Sequence, residues 1–291
     1  MKTHWLLLAA ILPVAAKADP VGDLTQAIQQ FKKHSSYAWE TTLSPAEVSV
    51  WRSAITSAVT DTNVDSKIST SANAKRMPAP IEGATDRALG SVVFASVSRL
   101  DESGSLRLRA VLRDGRGVVE TRNGWRDAGE LERDIQEKQE LPSTLVTSAS
   151  NAELYSLRTA RLEISLRAPD DELTLLLADA KPAMLIGGSL VATLNPETAA
   201  NFLFELRYRD GALASETPPV SAEGAVTIWL KKGEIAKYEV AIDAVVRRGR
   251  ADREVHFVKT TLLHDLGKAR VKLPPPALAK LDALKSAAPS P

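Results

Sequence analysis

Apolar residues recur with a period of two along much of this chain and with a helical period in shorter segments between. Leu106, Leu108, Ala110 and Leu112 alternate with Arg107, Arg109 and Arg113, which predicts a half-buried antiparallel strand, apolar on one face and cationic on the other. Asp114-Gly115 and Asn123-Gly124 flank a second run, Gly117 to Arg122. Such pairs supply the positive φ angles that tight hairpins need. Ser91 to Arg99 is a further β run, joined to the first through the turn residues Asp101 to Gly104. Near the other end, Ala225 to Leu230 enters a turn at Lys231 to Glu234, and Tyr238, Val240, Ile242, Ala244 and Val246 then alternate. A basic turn at Arg247 to Arg250 leads to Arg253–Leu263. Asp265 to Gly267 and Val271 to Leu273 read as a last short edge before Pro274-Pro275-Pro276. Tyr37 to Leu43 is β-prone, whereas Asp61 to Pro80 reads as loop or irregular edge strand.

Helical spacing governs the rest. Leu24, Ala27, Ile28 and Phe31 predict a helix from Asp23 to His34. Asp127 and Glu130 have capping-box spacing, and the polar helix behind them turns only Leu131 and Ile135 inward. Asn151 could cap a helix carrying Leu154, Tyr155 and Leu157. Pro169 suits a first helical position, with Asp170, Asp171 and Glu172 at the positive end of the helix dipole; Leu173, Leu176, Leu177 and Ala180 form the stripe. Asn195-Pro196-Glu197 repeats the device ahead of Ala199, Phe202, Leu203 and Leu206. Helices grouped between two sets of meandering strands predict an α+β fold, an antiparallel sheet with helices on one face.

The opening residues change the picture of where this chain works. Lys2, an apolar run from Trp5 to Ala16, and Ala16-Lys17-Ala18 have the layout of a secretory signal peptide over 1–18. The run is too short to span about 30 Å of hydrocarbon as a helix. Cleavage after Ala18 is expected, and with it a periplasmic or secreted protein. There is no cysteine, which excludes disulfides and a lipid-modified N-terminal cysteine. Balanced charge, 37 basic against 36 acidic side chains, argues against nucleic acid as a partner. The arginine groups 107–116 and 247–253 read first as solvated faces, and second as a patch for anionic lipid head groups. A single domain over 19–276, a flexible tail over 277–291 and a monomer are expected.

Candidate chemistry is sparse. No nucleophile elbow, phosphate loop or dinucleotide fingerprint occurs. His34 sits at a helix end. His256 and His264 share one strand about 27 Å apart at 3.4 Å per residue, too far to hold one metal. Asp170 to Glu172 is explained by capping and Asp101-Glu102 by a turn. No catalytic residue, metal or cofactor is assigned. Trp39, Trp51, Trp125 and Trp229 read as core anchors, although Trp229 is out of phase with Val226, Ile228 and Leu230, as in a strand covered on both faces.

The segments GAVTIWLKKGEIAKYEVAIDAVV and REVHFVKTTLLHDLGKARVKLPPP resemble the end of the bacterial lipoprotein-carrier superfamily, the outer-membrane lipoprotein carriers and related lipid-binding envelope lipoproteins. The matching positions are Trp229, Gly233, Lys237-Tyr238, Asp265, Gly267 and Pro274. The phrase VVETRNGWRDAGEL, with Gly124, Trp125 and Leu131, is similar to a step in exported proteins of that shape. The resemblance implies a curved antiparallel half-barrel with helices packed on its concave face and an apolar cavity for acyl chains. A lipid or lipidated protein would then lie against Leu106, Leu108, Leu112, Trp229, Val240 and Ile242, under helices presenting Leu176, Leu177, Phe202 and Leu203. Membrane contact would be peripheral or absent. An envelope scaffold with a filled core, and a hydrolase without a recognisable motif, are the alternatives.

Overall fold

Alternation and turn chemistry organise the strands as the sequence predicts, and one further device, a bulge, adjusts their register. The computed structural model describes residues 19–43, 80–98, 105–140, 153–154, 156–158, 160–161, 164, 166–181, 184–186, 188–206, 218–248 and 251–287. The strands are β1 (Ser36–Leu43), β2 (Ile81–Asp86), β3 (Gly90–Ser98), β4 (Ser105–Arg113), β5 (Arg116–Thr121), β6 (Gly124–Asp127), β7 (Met184–Ile186), β8 (Ser189–Thr193), β9 (Ser221–Lys231), β10 (Glu234–Arg248) and β11 (Ala251–His264). The helices are α1 (Pro20–Lys33), α2 (Ala128–Gln139), α3 (Pro169–Ala178), α4 (Pro196–Leu206) and α5 (Pro275–Ala287).

All eleven described strands join one antiparallel sheet in the order β6-β5-β4-β3-β2-β1-β11-β10-β9-β8-β7. Among the described residues β6 and β7 are its edges, and the sheet is not closed, as in a curved half-barrel. The chain's first strand lies mid-sheet, pairing Ala38 with Ala84 on β2 and with His264 on β11. Asp114-Gly115 and Lys232-Gly233 carry positive φ at both positions, the backbone of type I′ hairpins. Between Ile235 and Lys237 the register of β10 slips, which lets Ile235 and Tyr238 both point inward although they lie three positions apart.

Helices α1–α4 cover the inner face. Phe31, Leu131, Leu173, Leu176, Phe202 and Leu203 enter one core with Trp39, Val93, Leu108, Val119, Val226, Val240, Ile242 and Phe257. Trp39 fits only because Gly83 stands opposite: a Cβ on Gly83 would lie 2.1 Å from the indole. The capping box forms as expected, with the Glu130 N–H donating to Asp127 at 3.0 Å and the Asp127 N–H to Glu130 at 3.1 Å. Burial by itself would raise the Asp127 pKa; the Glu130 N–H and the Lys280 ammonium outweigh it and hold the carboxyl below its usual range.

Several expectations are corrected. β2, β7 and β8 were not anticipated, and Val271 to Leu273 forms no strand. Residues 277–287, expected as flexible tail, belong to α5. This helix lies on the outer face of β3–β5, where Ala277 and Leu281 pack with Val92, Val111, Val118 and Leu273. The Lys280 ammonium reaches Glu130 at 2.6 Å and so ties α5 to α2; that partner raises its pKa. The leader, Trp51, residues 61–79 of the Asp61–Pro80 stretch, the Asp101–Gly104 turn, the cap at Asn151 and the Gly249-Arg250 turn positions lie outside the described residues.

Candidate ligand-binding cleft and its polar seam

The alternating strands deliver most of the expected lining residues to one place, and the helices then fill it. Leu108, Leu176, Phe202, Leu203, Val240 and Ile242 are buried in the inner core, with Leu112 and Leu177 packed at its margin. The Leu106 side chain lies outside the described residues. Trp229 is a correction. It is on the outer face, because Ala222, Val226 and Ile228 take the inward phase of β9, and the Lys237 ammonium sits 4.1 Å from its ring centroid. Beneath β10 the inner face is solid: Val240 and Ile242 are both 0% exposed.

Space opens elsewhere. A cleft of about 740 Å³ lies between the β2–β3 turn, the β4–β5 turn, residues 164 and 166–168 and the start of α3. Leu112, Ile164, Leu166 and Leu175 give it an apolar lining. Arg87, Arg113, Arg116, Arg167, Asp170 and Asp171 make the remainder polar. The volume is that of a site for a small organic ligand. Arg113 is held loosely by Asp114 and Asp282, at 3.9 and 3.7 Å. Arg116 forms no ion pair among the described residues.

The cleft backs onto a buried polar seam that the sequence reading missed. Acids expected only to cap α3 reach into the core. Glu172 is 3% exposed and accepts from the Tyr238 hydroxyl at 2.8 Å and from the Lys259 ammonium, itself 4% exposed. Asp170 accepts from the Tyr37 hydroxyl and from the Arg87 guanidinium. Arg87 also donates to the Phe31 and His34 carbonyls at the end of α1 and stacks 5.5 Å from the Phe31 and Tyr37 ring centroids. One arginine thereby locks α1, α3 and the β2–β3 turn together. Thr41 and Thr261 bond at 2.9 Å, Thr85 and Ser91 at 2.9 Å, and the Trp39 indole N–H donates to Thr85 at 3.3 Å. Burial pushes the Tyr37 and Tyr238 pKa values up, and the Glu172 charge adds to both. Both hydroxyls therefore stay protonated donors.

Glu172, Lys259 and Tyr238 are mutually bonded and buried, where the low dielectric makes an unpaired member costly, whereas Arg87 and Asp170 also line the cleft. One signal in the sequence pointed to the seam: Lys259 occupies the apolar phase of β11, between Phe257 and Leu263. The three described histidines are dispersed. His34 meets Glu234 at 3.0 Å, His256 meets Asp243 at 2.7 Å, and His264 meets Asp265 at 3.1 Å. Among the described residues no group of three or more His, Asp or Glu could hold a metal ion, and no helix is long and apolar enough to cross a membrane.

The chain thus presents an open antiparallel half-barrel with a helix-covered concave face and a cleft at one end. No protein-family description and no curated protein matches it. Among solved structures it is similar to LprF from Mycobacterium bovis, at 9% identity and a TM-score of 0.38, over 89% of this chain and 97% of that one. It is also similar to the lipoprotein LppX of Mycobacterium tuberculosis, at 9% identity and a TM-score of 0.34, over 87% of this chain and 97% of that one.

Proposed function

We propose that this chain is an exported, non-enzymatic envelope protein that holds an amphipathic molecule, a lipid or the acylated end of a lipidated partner. The apolar chain lies against Leu112, Ile164, Leu166 and Leu175, and its polar end meets the arginine rim. The observation that supports this most is the cleft of about 740 Å³ between sheet and α3, beside a core that packs tightly under β10. Burial of acyl surface there contributes about 25 cal/mol per Å² removed from water. The binding region is therefore narrower than the interior-wide lining expected from the resemblance: Leu112 belongs to it, while Val240 and Ile242 are core.

Titration of the purified chain with a dansylated long-chain fatty acid tests this. Saturable binding is expected, weakened about tenfold or more by Leu175→Trp, which fills the cleft from an exposed position without disturbing the core. Absence of saturable binding, or binding indifferent to Leu175→Trp and to Leu112→Phe, refutes the reading. Export has its own test: the N-terminus of protein recovered from the cell envelope should be Asp19.

A scaffold role is favoured by a different observation, the solid packing beneath β9–β11. It predicts no probe binding and an unchanged thermal midpoint on exhaustive delipidation.

A further inference from the structure

Antiparallel pairing gathers five connections at one end of the sheet: the β2–β3, β4–β5, β7–β8 and β9–β10 turns, and the junction where α1 ends beside the end of β11. At about 4.8 Å between strands, β4 to β7 spans on the order of 35–40 Å along that end. Exposed large apolar side chains concentrate here. Leu185 is 51% and Ile186 53% exposed beside the β7–β8 turn, Leu89 is 48% exposed in the β2–β3 turn, and Leu175 stands at the cleft mouth.

Cations surround them. Lys32 and Lys33 close α1, Lys231 and Lys232 form the β9–β10 turn, and Lys268 and Arg270 follow β11; all six are exposed and none makes an ion pair among the described residues. Of the nearby acids, Asp171 is exposed at the cleft, Asp114 lies 3.9 Å from Arg113, Asp170 is paired with Arg87, and the rest are hydrogen-bonded. Glu234 is bound by His34 at 3.0 Å, Asp265 by His264 at 3.1 Å, and Asp86 accepts the Ala88 and Leu89 N–H groups at 3.0 and 3.1 Å. The end thus carries apolar tips that water solvates poorly, at a rim where cations outnumber acids.

We infer that this turn end docks on an anionic lipid bilayer, the β7–β8 hairpin and Leu89 entering the interface while the lysines meet the head groups. Charge and shape favour a bilayer over a protein groove: the tips stand apart along one rim, as a planar and fluid surface accepts. Apolar insertion plus attraction to anionic lipid is the established logic of peripheral binding, each half marginal by itself. The inference stands whether or not the cleft is occupied, although the cleft opens at the same end.

The test is co-sedimentation of the full chain with vesicles of phosphatidylcholine alone or with about 30 mol% phosphatidylglycerol. The apolar run Trp5–Ala16 is common to every arm. Wild type should bind the anionic vesicles, and added salt should weaken it. Leu185→Glu with Ile186→Glu, and separately Lys33→Glu with Lys231→Glu, should each weaken binding about tenfold. Val220→Glu, exposed at the opposite end, should leave it unchanged. Equal binding to neutral vesicles, no binding to anionic ones, or variants indistinguishable from wild type overturns the inference. The dansyl titration, run on the same preparations, reports separately on the cleft.

Discussion

Under β9–β11 the half-barrel is filled, whereas under β2–β5 the filling stops short of the turn end and leaves the cleft there, although both halves present the same alternating apolar face. The difference lies in the helices. Over β9 and β10, α4 brings Phe202 and Leu203 down onto Val226, Val240 and Ile242, leaving no space. Over the other half, the start of α3 is held away from the β4–β5 turn by Asp170 and Arg87, and the cleft is what remains. Paired charges set the spacing in one half and apolar interdigitation sets it in the other. An apolar periodicity therefore specifies which face is buried, but not whether that face is filled by the chain itself or left for a ligand.

The sharpest way to break this contrast is to attack the polar seam. Lys259→Met or Glu172→Leu alone should cost about 3–5 kcal/mol in chemical denaturation, because each leaves a buried charge without its partner. The double variant should recover much of that loss, since a buried pair replaced by apolar groups is often neutral. Equal losses in single and double variants would mean the seam's bond to Tyr238 matters more than the ion pair. Next in size is Ile242→Ala in the filled half, expected to cost about 2–5 kcal/mol. Gly83→Ala should cost about 1–3 kcal/mol by driving a Cβ into the Trp39 indole. Leu175→Ala at the cleft should change stability by less than about 0.5 kcal/mol while weakening probe binding.

The smallest effects concern pH. Tyr37 and Tyr238 have raised pKa values, so the folded state favours their protonated forms. Their contribution is whole below the ordinary tyrosine value near 10 and is lost as pH rises above it. Tyrosinate absorbance from these two should therefore appear only with unfolding. Asp127 has the opposite sign: its contribution to holding α2 and α5 is present above the ordinary carboxylate value near 3.9 and fades as pH falls. Lys280, raised, contributes below about 10.4 and fades above it. The α2–α5 junction should thus be tightest between about pH 4 and 10. Protease sensitivity at α5 across that range measures it.

Much of the fold was legible because its signals are local. Leu106–Arg113 and Tyr238–Val246 alternate without interruption, Asp114-Gly115 and Lys232-Gly233 supply left-handed turns, and the Asp127–Glu130 box closes as read. β2 escaped because Glu82-Gly83-Ala84-Thr85 is neither strongly apolar nor β-branched throughout; Gly83 is there to admit an indole from the neighbouring strand. α5 escaped because three prolines and an Ala-Lys composition read as a frayed end, and its partners Val92, Val111 and Val118 are distant in sequence. Trp229 entered the expected lining through the resemblance although it is out of phase with Val226 and Ile228, which take the inner face of β9 and leave it the outer one.

By itself, the sequence determined the antiparallel α+β plan, the caps of α2 and α4 and the identity of the buried face, because period, turn chemistry and capping act within a few residues. Only the tertiary structure decided the pairing of β1 with both β2 and β11, the burial of Glu172 against Lys259, the cleft beside α3, and the clustering of Leu89, Leu185 and Ile186 at one lysine-rich end. Each of those depends on groups tens to hundreds of residues apart, whose meeting is fixed by closure of the whole sheet and leaves no local trace in the chain.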